Sequence, residues 1–209
     1  MSQIQNITLF MALVWVLILT PGPDLFFVLS KGIAQGKKAG LLSALGITLG
    51  IMAHTLMAAV GLSEILRTSA MAFTLVKILG ACYLIYIGVK MIGSKPSPIP
   101  NKVVQVPHGK IMLQGFLSNT LNPKVALFFL AFIPQFIDSG AGEVSPFPFL
   151  ILGSLFALSS MLFLLILGYF SGSMGHYLET KRRTMAWTTK ISGCLMVLLG
   201  IKLVCTHPS

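Results

Sequence analysis

The chain has 209 residues, 55% of them hydrophobic and only 10% charged, whereas an ordinary soluble domain carries about 25% charged residues. Fifteen basic residues against five acidic ones give a net charge of +10. The basic residues mostly lie in short connections between apolar runs and form no continuous, aromatic-interleaved basic surface, which argues against nucleic acid as a partner and for lipid as the solvent.

Nearly uncharged stretches of about 20 residues, enough to cross about 30 Å of hydrocarbon, recur near 5–29, 40–62, 69–92, 112–137, 146–171 and 185–204. Ahead of the first, Met1 to Thr8 lacks the basic residues of a cleavable signal. Pro21, Gly22 and Pro23 interrupt this span and Asp24 follows them; Lys31, Lys37 and Lys38 form the first connection. The second span carries Ser43, Gly46, Gly50, His54 and Gly61 at helical steps, a small-residue stripe suited to close helix packing. His54 lies on that stripe and is expected to face protein, either as a structural histidine or as a proton relay. Glu64 and Arg67 cancel in the second connection.

In the third span Lys77 and Lys90 bracket an apolar stretch, as Lys190 and Lys202 do in the sixth, and their stems are long enough to snorkel to the interfaces. The third connection, Gly93 to Lys110, contains Pro96, Pro98, Pro100 and Pro107 beside Lys95, Lys102 and Lys110. It reads as a semi-extended linker, because proline lacks the donor a helix needs. Pro123 interrupts the fourth span and Lys124 follows it. The fourth connection holds only Asp138 and Glu143, whereas the fifth holds Lys181, Arg182, Arg183 and Lys190 against Glu179. Odd connections are positive and even ones are not, which predicts cytoplasmic odd connections and both termini outside.

The midpoint divides a repeat. Thr20-Pro21-Gly22-Pro23-Asp24 matches Thr120-Leu121-Asn122-Pro123-Lys124, and Leu25-Phe26-Phe27 is echoed by Leu127-Phe128-Phe129. Lys77-x-x-Gly80 and Gly88-x-Lys90 reappear as Lys190-x-x-Gly193 and Gly200-x-Lys202. An odd number of spans per unit inverts the second unit relative to the first, the arrangement of many secondary transporters. The expected fold is therefore all-α and integral to the membrane: six transmembrane helices as two inverted three-helix repeats, residues 1–93 and 111–209, joined by a cytoplasmic linker, 94–110, with helices 1 and 4 broken at proline.

Two breaks at equivalent positions point to a binding site more than to simple proline kinks, because carbonyls freed inside a membrane need partners from the protein or a water-lined cavity. A charge within a span is costly, so Asp24 and Lys124 are expected to face a cavity or each other. They either form a structural ion pair or bind a zwitterion, Asp24 taking an ammonium and Lys124 a carboxylate, with Asn119 and Asn122 orienting the groups and the half-helix N-termini assisting the carboxylate. Asp24, the one acidic residue placed within a span, is the candidate proton carrier. Cys82, Cys194 and Cys205 form no C-x-x-C pair, and neither a cofactor nor a metal is expected.

The motifs Pro21-Gly22-Pro23-Asp24, Gly46-x-x-x-Gly50-x-x-x-His54, Lys77-x-x-Gly80-Ala81-x-Tyr83-Leu84, Asn119-x-x-Asn122-Pro123-Lys124 and Pro134-Gln135-Phe136 together resemble the lysine-exporter superfamily, in its homoserine/threonine-resistance (RhtB-type) branch. The resemblance covers essentially the whole chain. It implies a proton-driven exporter of amino acids or close derivatives in a bacterial inner membrane. The partners it implies are an amino acid, protons and the bilayer, and a homo-oligomer is compatible with it. The alternatives are a passive channel or metal-ion exporter of related architecture, or a membrane scaffold or intramembrane enzyme.

Overall fold

The structure, a computed structural model, describes residues 4–63, 70–93, 106–138, 145–180 and 182–205. The described residues are helical almost throughout and include no β-strand; one isolated antiparallel bridge joins Ile4 to Ile137. In chain order the helices are α1 (Ile7–Leu19), α2 (Pro23–Gln35), α3 (Lys37–Met57), α4 (Ala70–Ile92), α5 (His108–Thr120), α6 (Pro123–Leu127), α7 (Phe147–Thr180) and α8 (Arg182–Cys205). α3 runs on through a π turn, Ala58–Leu62. α6 runs on through a π turn, Phe128–Phe132, and a 3-10 turn, Ile133–Phe136.

Two helices are long and apolar enough to cross a membrane, Lys37–Leu62 and Phe147–Ser171. The pairs α1–α2 and α5–α6 also qualify if each is taken as one span, bent by 48° and 46° respectively. In α4 and α8 the apolar helical stretches are shorter, Ile78–Ile92 and Thr189–Leu198.

The sequence places Lys31 in the first connection, but α2 continues past it to Gln35 and Lys31 is buried, its ammonium 5.6 Å from the centre of the Phe27 ring. Nothing in Ser30 to Gln35 stops a helix, and a long cationic side chain can lie along an aromatic face. The connection shrinks to Gly36, whose φ of +80° lies in the region open to glycine. Of the long linker, residues 94–105 lie outside the described residues, and α5 already begins at His108. Glu64, Arg67, Glu143 and Lys181 also lie outside the described residues, as do the side chains of Lys77, Glu179, Arg182, Arg183 and Lys202; Lys90 and Lys190 are exposed.

α3 is the central post. Its small-residue stripe packs on α5 and α7: the Met112 carbonyl occupies the space a Cβ on Gly46 would need, and Gly40 lies against Gly168. The core beside it is aromatic. Phe128 has its ring 6.2 Å from Phe10 and 5.2 Å from Phe156, fastening α1, the α6 segment and α7 together. α4 and α8 pair with each other, Gly88 against the Gly193 carbonyl and Gly193 against that of Gly88, and α4 meets the rest through Gly80 and Ala131.

Candidate functional site between two helix breaks

α1 stops because Pro21 and Pro23 cannot donate to the preceding turn. Thr20 turns extended, and its hydroxyl donates to the Val16 carbonyl at 2.6 Å. Gly22 is fully extended, with φ −167° and ψ −177°, and Pro23 opens α2 with Asp24 in the first turn. The second break follows the same logic with a different cap. Asn122 is the N-cap of α6, its side-chain oxygen accepting from the Lys124 backbone N–H at 3.1 Å, and Pro123 follows.

The two breaks exchange partners. The Lys124 ammonium crosses to the first break and donates to the Thr20 carbonyl at 2.8 Å. The Asp24 carboxylate reaches the second break, where one oxygen accepts from the side-chain amides of Asn119 at 2.9 Å and Asn122 at 3.0 Å. Asn119 is completely buried, and its backbone carbonyl lies 3.2 Å from Nε2 of His54, whose ring stacks on Phe129 at 5.6 Å. Asn119 thus links Asp24 to His54, which do not touch directly. Gly50, one turn before His54, seats Asn119: a Cβ there would come within 2.7 Å of its side chain.

Asp24 and Lys124 do not pair directly; each is held by neutral groups. The second Asp24 oxygen, the Asn119 side-chain oxygen and the Thr120 hydroxyl are buried without a hydrogen-bond partner among the described residues. Asp24, Asn122 and Lys124 line a cavity of about 30 Å³, walled by residues including Ile51, Phe156 and Ser160. It has room for a water molecule but not for an amino acid. Half-buried charges of opposite sign thus face one small cavity, and one Asp24 oxygen is left without a partner.

The structure therefore brings Asp24, Lys124, Asn119 and Asn122 together, with Pro21, Gly22, Pro23 and Pro123 as the breaks that aim them and His54 one residue away. Sequence reasoning missed Thr20, which acts through a backbone carbonyl, and Ser160 and Phe156 of α7. The one available signal for Ser160 is its hydroxyl within an apolar run. Among the described residues no group of three or more His, Cys, Asp or Glu side chains is placed to hold a metal.

The LysE type translocator family pattern matches residues 15–207. A leucine efflux protein of Enterobacter sp. (strain 638) is 31% identical over 195 residues, covering 91% of each chain. A leucine efflux protein of Salmonella typhimurium (strain LT2) is 30% identical over 189 residues, 90% of this chain and 89% of its own. The membrane protein YrhP of Bacillus subtilis (strain 168) is 32% identical over 196 residues, 89% of this chain and 92% of its own. No solved structure matches the chain. With the match running from the first helix through the last and taking in both breaks, the chain belongs to the LysE type translocator family.

Proposed function

We propose that this translocator exports amino acids or close derivatives across a bacterial inner membrane, driven by the proton gradient. The observation that carries this reading is the meeting of Asp24 and Lys124 in one small, half-buried cavity while each is held by neutral groups. A zwitterion stripped of water needs one partner of each sign. Asp24 offers an unpaired oxygen to an ammonium. Lys124 gives up a carbonyl to meet a carboxylate, with Asn119 and Asn122 steadying Asp24. The leucine efflux relatives favour neutral aliphatic cargo. In this reading Asp24 carries the proton, and His54, one residue away through Asn119, is placed to relay it.

The same reading takes the chain as six spans in two inverted three-helix repeats, 1–93 and 111–209, about the linker 94–110. Two reciprocal contacts support it. Lys124 reaches the first break as Asp24 reaches the second, and the α4–α8 pair meets at Gly88–Gly193 and again where Gly200 approaches the Ala81 carbonyl. The bridge between Ile4 and Ile137 puts the N-terminus and the fourth connection at one end of the bundle. At the other end, Lys37 of the first connection lies 3.4 Å over the ring of Tyr169, near the fifth. This agrees with termini outside and odd connections in the cytoplasm.

The test is uptake by proteoliposomes containing the purified chain, screened across the common amino acids under an imposed pH gradient. Accumulation of at least one neutral amino acid that collapses when a protonophore is added is the expected result. No accumulation of any amino acid overturns the function, and accumulation indifferent to the protonophore overturns the coupling.

A further inference from the structure

The seam between α3 and the α6 segment changes character along its length. Ile51 and Val125 line the polar cavity. One turn further along the same two elements, His54 and Phe129 stand at the edge of a second cavity of about 310 Å³, walled by Met57, Ala58, Ala126 and Leu130 among others. His54 is the one polar side chain in that wall. Both elements leave regular α geometry there, α3 in the π turn Ala58–Leu62 and the α6 segment in Phe128–Phe132. π turns inside helices are frequently found at functional sites. A chain of contacts runs from the second cavity to Asp24 in the first: the His54 ring stacks on Phe129, and its Nε2 meets the carbonyl of Asn119, whose amide holds Asp24.

We propose that this second cavity receives the side chain of the cargo, and that it selects amino acids with a branched or long aliphatic side chain. The proposal rests on the proposed placement of the cargo's ammonium and carboxylate at Asp24 and Lys124. A side chain leaving that charge pair along the seam enters a chamber that offers apolar surface and a single imidazole. Each methylene that fits there is worth about fourfold in affinity, while a polar side chain of similar size loses its water without finding partners. Aliphatic cargo is favoured on both counts, and the narrow polar cavity keeps the shared backbone groups in one register.

Counterflow of glycine, alanine, valine, leucine and phenylalanine, measured in proteoliposomes of the full chain, tests this directly. Ala126→Leu fills the chamber and should lower the leucine-to-alanine rate ratio by about tenfold. Met57→Ala widens it and should move the preference towards phenylalanine. Met57 is 54% exposed, so this second variant does not threaten folding. Ratios unchanged in both variants, or every amino acid altered alike in both, would overturn the proposal and leave the chamber to a lipid chain. A wild-type chain that moves alanine and leucine equally would overturn it too, with the export function intact. A wild-type chain that moves no amino acid would instead fail the function on which the proposal rests.

Discussion

The two helix breaks fall at matching proline-charge pairs, Pro23-Asp24 and Pro123-Lys124, and have similar bends, 48° and 46°, but they solve the broken backbone differently. The first is built from Pro-Gly-Pro, without a side-chain cap, and leaves the Thr20 carbonyl for a partner from elsewhere. The second caps itself, Asn122 holding the Lys124 N–H, and keeps an amide free for Asp24. One break depends on the other's side chain for its backbone; the other uses its side chains to hold the first's charge. Matching sequence positions can thus carry unlike chemistry, and in the proposed function that asymmetry suits a ligand with two different ends.

The largest effects should come from the charges. Removing one member of a buried charged network costs about 3–5 kcal/mol, roughly a hundredfold or more in affinity. Lys124→Gln should weaken leucine far more than leucine amide, which lacks the carboxylate. Asp24→Asn should weaken leucine far more than its deaminated acid, which lacks the ammonium. Titration of the ligands against both variants reads the result. Equal losses across ligands would make the two charges structural and erase the division of labour between the breaks.

A smaller effect should follow from Gly50→Ala. The new Cβ would meet Asn119 at 2.7 Å and push its amide away from Asp24. Overpacking of this kind costs about 1–3 kcal/mol, and cargo affinity should fall with it. Gly109→Ala, where no atom lies within 4 Å, serves as the control. Equal behaviour of the two variants, measured by cargo titration and thermal unfolding, would mean that Asn119 does not need its seat on α3.

The smallest change should belong to the cap. Asn122→Ala removes the bond to the Lys124 N–H, worth about 1 kcal/mol, together with one of the two amides on Asp24. Unfolding in detergent should register this loss. A silent variant would imply that the second break is held by Pro123 alone.

The breaks and their charges are legible in the sequence because proline and charge are both expensive inside an apolar run. Asn119 and Asn122 are legible beside Lys124 for the same reason. What holds each charge is not, because Thr20 contributes a backbone carbonyl, a group every residue carries and no side chain announces. The role of Gly50 is hidden in a stripe where Gly46, a residue of the same type one turn earlier, serves only packing. Lys31 misleads because positive charge is taken as a mark of a connection, whereas the helix ends only where Gly36 permits the turn. The π turns leave no signature, since Ala58–Leu62 and Phe128–Phe132 are made of ordinary helix-compatible apolar residues.

Under the proposed function, a carrier that cycled freely without cargo would short-circuit the proton gradient. In that reading the bond from Lys124 to the Thr20 carbonyl would act against that hazard. It staples the two joints of the molecule to each other with the same ammonium that the cargo's carboxylate must claim. In the proposed cycle a carrier holding neither cargo nor proton is therefore a locked one, and the cargo is the key that frees the first joint on the way out. Proton leak and export would then share one gate, opened by the passenger itself.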